Sequence, residues 1–391
     1  MCNRFTRLAF MTGLMVMLTA VAVSSQVIPS AWNTGRYFRI LHGKKVGVVA
    51  NNASMVGKMN IVDTLIRSGI DVRVVFSPEH GFRITEEAGA EVSDYRDPVT
   101  NVRVVSLYGI KKKPVGIDLE ELDLVVFDLQ DVGARFFTYI STLSLVMEAC
   151  AENNIPMLVL DRPNPNAFYI DGPVLDMKFK SFVGMHPVPV VYGMTIGEYA
   201  RMVNGEGWLG KDLHCDLTVL PLENYSHQDV YFPQEKPSPN LTSSNAILLY
   251  PSLCFFEGTT VSVGRGTLFP FEVYGHPELE GKNFSFKPGP IQGMDSHPQY
   301  NGKTCFGEDL RKYFEKHPDA KGKIKLSWLI DAYRDLGQKP GFFTEYFNRL
   351  AGTDELRKQI LQGMTEDDIR KSWQPGIEEF KKIRERYLLY P

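Results

Sequence analysis

Four glutamates crowd one stretch of this chain. Glu79, Glu86, Glu87 and Glu91 follow the apolar run Val72-Arg-Val-Val-Phe and share a single loop. Cleavage of a glycosidic bond needs two carboxyl groups, one protonated to help the leaving oxygen depart and one ionised to act as nucleophile or to activate water. The loop could supply both, or Asp128 or Asp131 from another strand end could supply the second. Glu86 and Glu87 also suit a solvated loop face. Glu79 is different: it sits between Pro78 and His80-Gly81 directly behind a strand, which points it at a site. His80 either orients a carboxylate, contacts a sugar, or satisfies loop backbone groups.

The elements that must position these residues are read from apolar runs. Val46-Gly-Val-Val-Ala, Val72-Arg-Val-Val-Phe, Val102-Arg-Val-Val-Ser, Leu124-Val-Val-Phe and Met157-Leu-Val-Leu are rich in β-branched residues and end in polar or turn residues. Continuous apolar character suits strands covered on both faces, the parallel arrangement. Helical patterns lie between them, and in Thr138 to Asn153 the residues Ile140, Leu143, Met147 and Cys150 predict one buried stripe. The fold class is therefore α/β, a Rossmann-like, doubly wound parallel sheet. Ligands of such sheets bind outside the carboxyl ends of the strands. That rule gathers Asn51, Glu79, His80, Gln130, Asp131, Arg135 and Asn164 at one crevice. Arg135 suits an acidic ligand group or an internal ion pair with Asp128 or Asp131, while Asp161 and Arg162 could simply pin their turn. Further on, glycines around Glu257 and Arg265 permit a tight loop that closes over the crevice, or an ordinary structural turn.

Nucleotide signals are missing from the crevice. Ala50-Asn51-Asn52-Ala53-Ser54 stands where a Gly-x-Gly-x-x-Gly would be, and there is no Walker-type Gly-Lys-Ser, so no cofactor is expected. Neither His-Glu-x-x-His nor Gly-x-Ser-x-Gly occurs, and no metal site is expected. A net charge of −3 without a long basic block argues against nucleic acid as a partner. The 43% hydrophobic content of the 391 residues supports well-filled cores. Residues 1–26 read as an export signal, with Arg4 and Arg7, an apolar stretch and small residues at Val23-Ser24-Ser25. Its removal leaves an exported protein, periplasmic or secreted, with no stable membrane insertion. Cys150, Cys215, Cys254 and Cys305 are spaced as buried thiols, with a disulfide as the alternative.

A first domain is expected over 27–168 and a second over 169–391. Near its end, Thr365 with Asp368 predicts a capping box, and Pro375 restarts another helix carrying Ile377, Phe380 and Ile383.

At these same residues the sequence resembles the bacterial exo-β-N-acetylmuramidases. The matching stretches are Phe76-Ser-Pro-Glu-His-Gly-Phe-Arg, Val126-Phe-Asp-Leu-Gln-Asp-Val-Gly-Ala-Arg-Phe-Phe-Thr-Tyr-Ile-Ser-Thr, Leu160-Asp-Arg-Pro-Asn-Pro, Tyr192-Gly-Met-Thr-Ile-Gly-Glu, Pro237-Ser-Pro-Asn-Leu, Phe256-Glu-Gly-Thr and Gly264-Arg-Gly-Thr, with Ser372-Trp and Arg386-Tyr-Leu-Leu-Tyr-Pro at the end. The resemblance implies a second, smaller α/β domain, an active cleft between the two, glutamate catalysis in the loop after the second strand, and release of N-acetylmuramic acid from peptidoglycan fragments. The chain departs from the family at Arg83-Ile84 and Ala88-Gly89-Ala90-Glu91, where members commonly read Arg-Gly and Ala-Gly-Glu. The expected acid and base are Glu86 and Glu91, with Glu79 in support. Muramic acid carries a lactyl carboxylate, for which Arg135 and Arg265 are the expected partners. A non-catalytic wall-sugar binding protein and a peptidoglycan amidase or deacetylase are the rival readings.

Overall fold

The structure, a computed structural model, describes residues 26–83, 93–210 and 212–391. Residues 1–25 of the export signal, and the candidates Glu86, Glu87 and Glu91, lie outside the described residues.

All five expected strands form and belong to one seven-stranded sheet. In chain order its strands are β1 (Lys45–Ala50), β2 (Asp71–Ser77), β3 (Tyr95–Arg96), β4 (Arg103–Ser106), β5 (Leu124–Asp128), β6 (Met157–Leu160) and β7 (Leu217–Leu220). They lie side by side as β3-β4-β2-β1-β5-β6-β7. All pair in parallel except the short edge strand β3. Leaving β3 aside, this is the Rossmann order, with its switch point between β1 and β5. Side chains alternate between two cores. Val46, Val48, Leu124, Val126 and Leu158 pack on one face, Val49, Val74, Phe76, Val125, Phe127 and Val159 on the other. Burial on both faces explains why these strands read as unbroken apolar runs.

β7 pairs with β6, so the sheet continues beyond residue 168, where a domain boundary was expected. The run Leu217-Thr-Val-Leu is only partly buried and alternates weakly, which hid it. The second part adds a three-stranded antiparallel sheet of β8 (Val273–His276), β9 (Phe284–Phe286) and β10 (Cys305–Asp309).

Helix α1 (Tyr139–Glu152) is buried nearly all round, Ser141, Thr142 and Ser144 included, rather than along one stripe. It lies within the larger core, which runs on from the sheet into the C-terminal helices. Helices α2 (Ser244–Leu253) and α3 (Tyr346–Ala351) belong to the second part. The last helix, α4 (Glu366–Glu385), opens on the Thr365 cap as expected but continues through Pro375 instead of restarting there. Ile369, Trp373, Ile377 and Phe380 bury its inner face, and that packing outweighs the backbone hydrogen bond that proline removes. Cys150, Cys215, Cys254 and Cys305 are free and buried. Among the described residues no helix is long and apolar enough to cross a membrane.

Candidate active site

Register decides which strand-end residues meet. Ser77 of β2 pairs with Ser106 of β4, so Glu79 and Tyr108, each two residues further on, emerge side by side. The Tyr108 hydroxyl is hydrogen-bonded to Glu79, and burial together with that carboxylate pushes the phenol well above its usual range. A second hydroxyl approaches from α1. Thr138 is its N-cap residue, yet its side chain caps nothing; its Oγ1 donates to Glu79 Oε2 at 2.8 Å instead. The carboxylate thus stands at the positive end of a fourteen-residue helix. His80 follows with φ +75°, an uncommon conformation for a residue with a Cβ, and its Nε2 lies 3.2 Å from Ser238 Oγ.

These groups line a cavity of about 610 Å³. Its opposite wall comes from the second part of the chain. Glu257 Oε1 accepts from Arg265 Nε at 2.6 Å, and Glu257 Oε2 accepts from the Cys254 thiol at 3.4 Å. Burial works against the Arg265 charge, but Glu257 outweighs it and holds the guanidinium charged. Next to Glu257, a Cβ on Gly258 would lie 2.4 Å from Phe347 Cα, so only glycine lets α3 come this close. That approach brings Tyr346 and Arg349 into the lining. The Tyr346 phenol is pushed up by burial, then by Cys254, Glu257 and Glu79 around it, which marks where the two walls converge. Phe136, Phe137, Tyr139, Tyr250 and Phe271 supply an aromatic lining.

The expected site residues divide accordingly. Glu79, His80, Glu257 and Arg265 share the cavity. Asn51 lines a neighbouring recess of about 230 Å³ and is joined to the main cavity through Tyr139, whose hydroxyl accepts from Asn51 Nδ2 at 2.8 Å. The others are corrections. Arg135 is wholly buried and pairs with no acid among the described residues; it donates to the carbonyls of Pro173 (2.8 Å), Val188 (2.7 Å), Leu350 (3.1 Å) and Ala351 (2.7 Å). Burial lowers its pKa to about 9. Gln130 bonds the carbonyls of Asp131 and Pro163, both at 2.8 Å. Asn164 bonds that of Met194 at 2.7 Å. Asp131 accepts from Gly133 N at 2.7 Å and from the Tyr192 hydroxyl, and burial raises it to about 6. Gly133, at φ +75°, would drive a Cβ into the Asn164 amide. Asp128 is likewise spoken for, by Arg162 at 2.5 Å. These groups build the turns beneath the cavity.

Sequence reasoning missed Tyr108, Lys112, Thr138, Tyr346 and Arg349. The strand-end rule would have found Tyr108 had it been applied to the third run. Among the described residues no cluster of His, Cys, Asp or Glu could hold a metal ion.

A carboxylate at the carboxyl edge of a Rossmann-like sheet, opening on an aromatic-lined cavity, suits a glycoside hydrolase. Family models described as exo-beta-N-acetylmuramidase NamZ match the chain, the N-terminal one over residues 46–245 and the C-terminal one over 248–390. The peptidoglycan beta-N-acetylmuramidase NamZ of Bacillus subtilis (strain 168) is 36% identical over 99% of this chain and 100% of that protein. The chain belongs to this exo-β-N-acetylmuramidase family. Two crystal structures of DUF1343 family proteins from Bacteroides fragilis NCTC 9343 share the fold. One is 45% identical with a TM-score of 0.87, covering 94% of this chain and 99% of that one; the other is 25% identical with a TM-score of 0.79, covering 93% and 99%.

Proposed function

We propose that this protein is an exo-acting β-N-acetylmuramidase that releases N-acetylmuramic acid from the non-reducing ends of peptidoglycan fragments, with Glu79 as one of its two catalytic carboxyl groups. The observation that carries this reading is the position of Glu79 where both walls converge, bonded to Tyr108 and Thr138. Glu257 has both oxygens engaged by Arg265 and Cys254, so it serves as a fixed wall charge. The second catalytic carboxyl is that of Glu86 or Glu91. One of the pair protonates the leaving oxygen, while the other attacks the anomeric carbon or activates water. Aromatic faces along the lining receive the apolar face of the sugar ring. The substrate polymer lies outside the cytoplasm, and the basic and apolar start of the chain supports export to the periplasm or beyond, where the enzyme would take part in wall turnover.

The test is a chromogenic β-N-acetylmuramide beside its N-acetylglucosamine analogue. Wild type should cleave the first and spare the second. Glu79→Gln and one of Glu86→Gln or Glu91→Gln should each lose roughly 100- to 10,000-fold in kcat, the range expected for an acid–base group. Full activity in Glu79→Gln would overturn the assignment, and binding of the muramide without turnover by folded wild type would favour a sugar-binding protein.

A further inference from the structure

We infer that Lys112 and Arg349 are the residues that read the acidic group of the substrate, holding the lactyl carboxylate of a terminal N-acetylmuramic acid and so separating it from neutral hexosamines. This rests on the muramidase reading above. The argument starts from charge compensation around the cavity. Among the described residues its lining carries three cations of the Lys and Arg type, Lys112, Arg265 and Arg349. Arg265 is neutralised by Glu257 at 2.6 Å. Lys112 stands in a run of three lysines whose outer members are both paired, Lys111 with Asp94 and Asp118, and Lys113 with Glu148 and Glu152. Among the described residues the middle one has no acid; its ammonium lies over the Phe182 ring, 4.8 Å from the centroid. That contact fixes the position of the charge without cancelling it. Arg349 is comparable. Arg357 nearby lies 3.7 Å from Glu345, whereas Arg349 has no carboxylate partner among the described residues.

The backbone that carries Arg349 is held by one buried side chain. Arg135 bonds the carbonyls of Leu350 and Ala351 at the end of α3, directly after Arg349. A Cβ on Gly184, which closes the turn carrying Phe182, would sit 3.4 Å from Arg135 Nε. So the guanidinium expected to hold the ligand carboxylate instead holds the segment that carries Arg349, and it lies against the turn whose Phe182 ring is under Lys112. Glu79 in the same cavity would repel an anionic sugar, and two uncompensated positive charges reverse that field. A neutral hexosamine, or a muramyl group whose lactyl carboxyl is amidated, gains nothing from them.

The experiment compares kcat/KM for a chromogenic β-N-acetylmuramide with a free lactyl carboxylate and for its lactyl methylamide. Wild type, Lys112→Met, Arg349→Gln and the double variant are assayed at low and at high salt. The ratio of acid to amide is the readout, because a misfolded fraction lowers both rates alike and leaves the ratio intact. Wild type should prefer the acid by about 100-fold, each single change should cut the preference by about 10-fold through KM, and the double variant should approach parity. These sizes follow from one charge-assisted hydrogen bond per cation. Added salt should lower the wild-type preference, since both side chains are exposed. An undiminished ratio in the double variant, or equal cleavage of acid and amide by wild type, overturns the proposal. No cleavage of either compound by folded wild type overturns the muramidase reading itself, and this inference with it.

Discussion

Two hydroxyls from different elements converge on the carboxylate of Glu79, Tyr108 behind β4 and Thr138 ahead of α1. Each is a neutral donor to an acidic acceptor, a type of bond contributing roughly 1.5–3 kcal/mol when an ion is involved. If their task is to aim Glu79, Tyr108→Phe and Thr138→Val should each lower kcat about 10-fold on the chromogenic muramide while KM stays within about 2-fold. A change confined to KM would instead mark these hydroxyls as sugar contacts. Glu79 was legible because it follows an unmistakable strand, and Tyr108 was legible by the same rule. Tyr346 and Arg349 were not: α3 is six residues long and nothing in its sequence says that it will fold against the short 3-10 helix Cys254–Gly258, nearly a hundred positions earlier.

At the scale of elements, Arg135 shows how a motif can be located correctly and interpreted wrongly. It follows a parallel strand, lies close to two acids in sequence, and has the fork geometry suited to a carboxylate. The structure turns it inward, where it joins the segments around Pro173 and Val188 to the end of α3. Arg135→Met would take a donor from four buried carbonyls, of which that of Val188 keeps the Leu175 amide, at a cost of about 3–5 kcal/mol in denaturant unfolding. Arg135→Lys should recover only part of this, because an ammonium has three donors and no planar fork. A loss below about 1 kcal/mol in the Met variant would show that the contacts are dispensable. The same inward turn explains Gln130 and Asn164, whose side chains complete turns that would otherwise bury bare carbonyls.

The whole molecule sets the electrostatics of its interior. One continuous core joins the sheet to the terminal helices, and it leaves Asp131 and Asp161 without solvent, raised by burial to about 6 and about 7. Both folded values lie above the ordinary 3.8, so each acid binds its proton more tightly in the native state than in the unfolded chain. The stability they contribute is therefore complete below about pH 4 and is lost as pH rises through their folded values near 6 and 7. Thermal unfolding should show Tm falling over this window. Asp131→Asn keeps an acceptor for Gly133 and Tyr192 and should flatten the part of the fall between about pH 4 and 6. Parallel curves for the variant and wild type would refute this account.

Local pattern alone determined five of the six parallel strands, their order of appearance, the helix behind β5, and the polar residues that end those strands. These follow from hydrophobic periodicity and β-branching, which act within a few residues of chain. Only the tertiary structure decided which of those polar residues face the cavity, because a strand end fixes where a residue sits and not which way its side chain turns. Glu79 turns out to meet Tyr108 because β2 and β4 are in register, while Arg135, Asp131 and Asn164 turn in because buried carbonyls and amides nearby must find partners. The opposing wall, with Glu257, Tyr346 and Arg349, exists only once distant segments pack together, and the packing of Gly258 against Phe347 is what allows it.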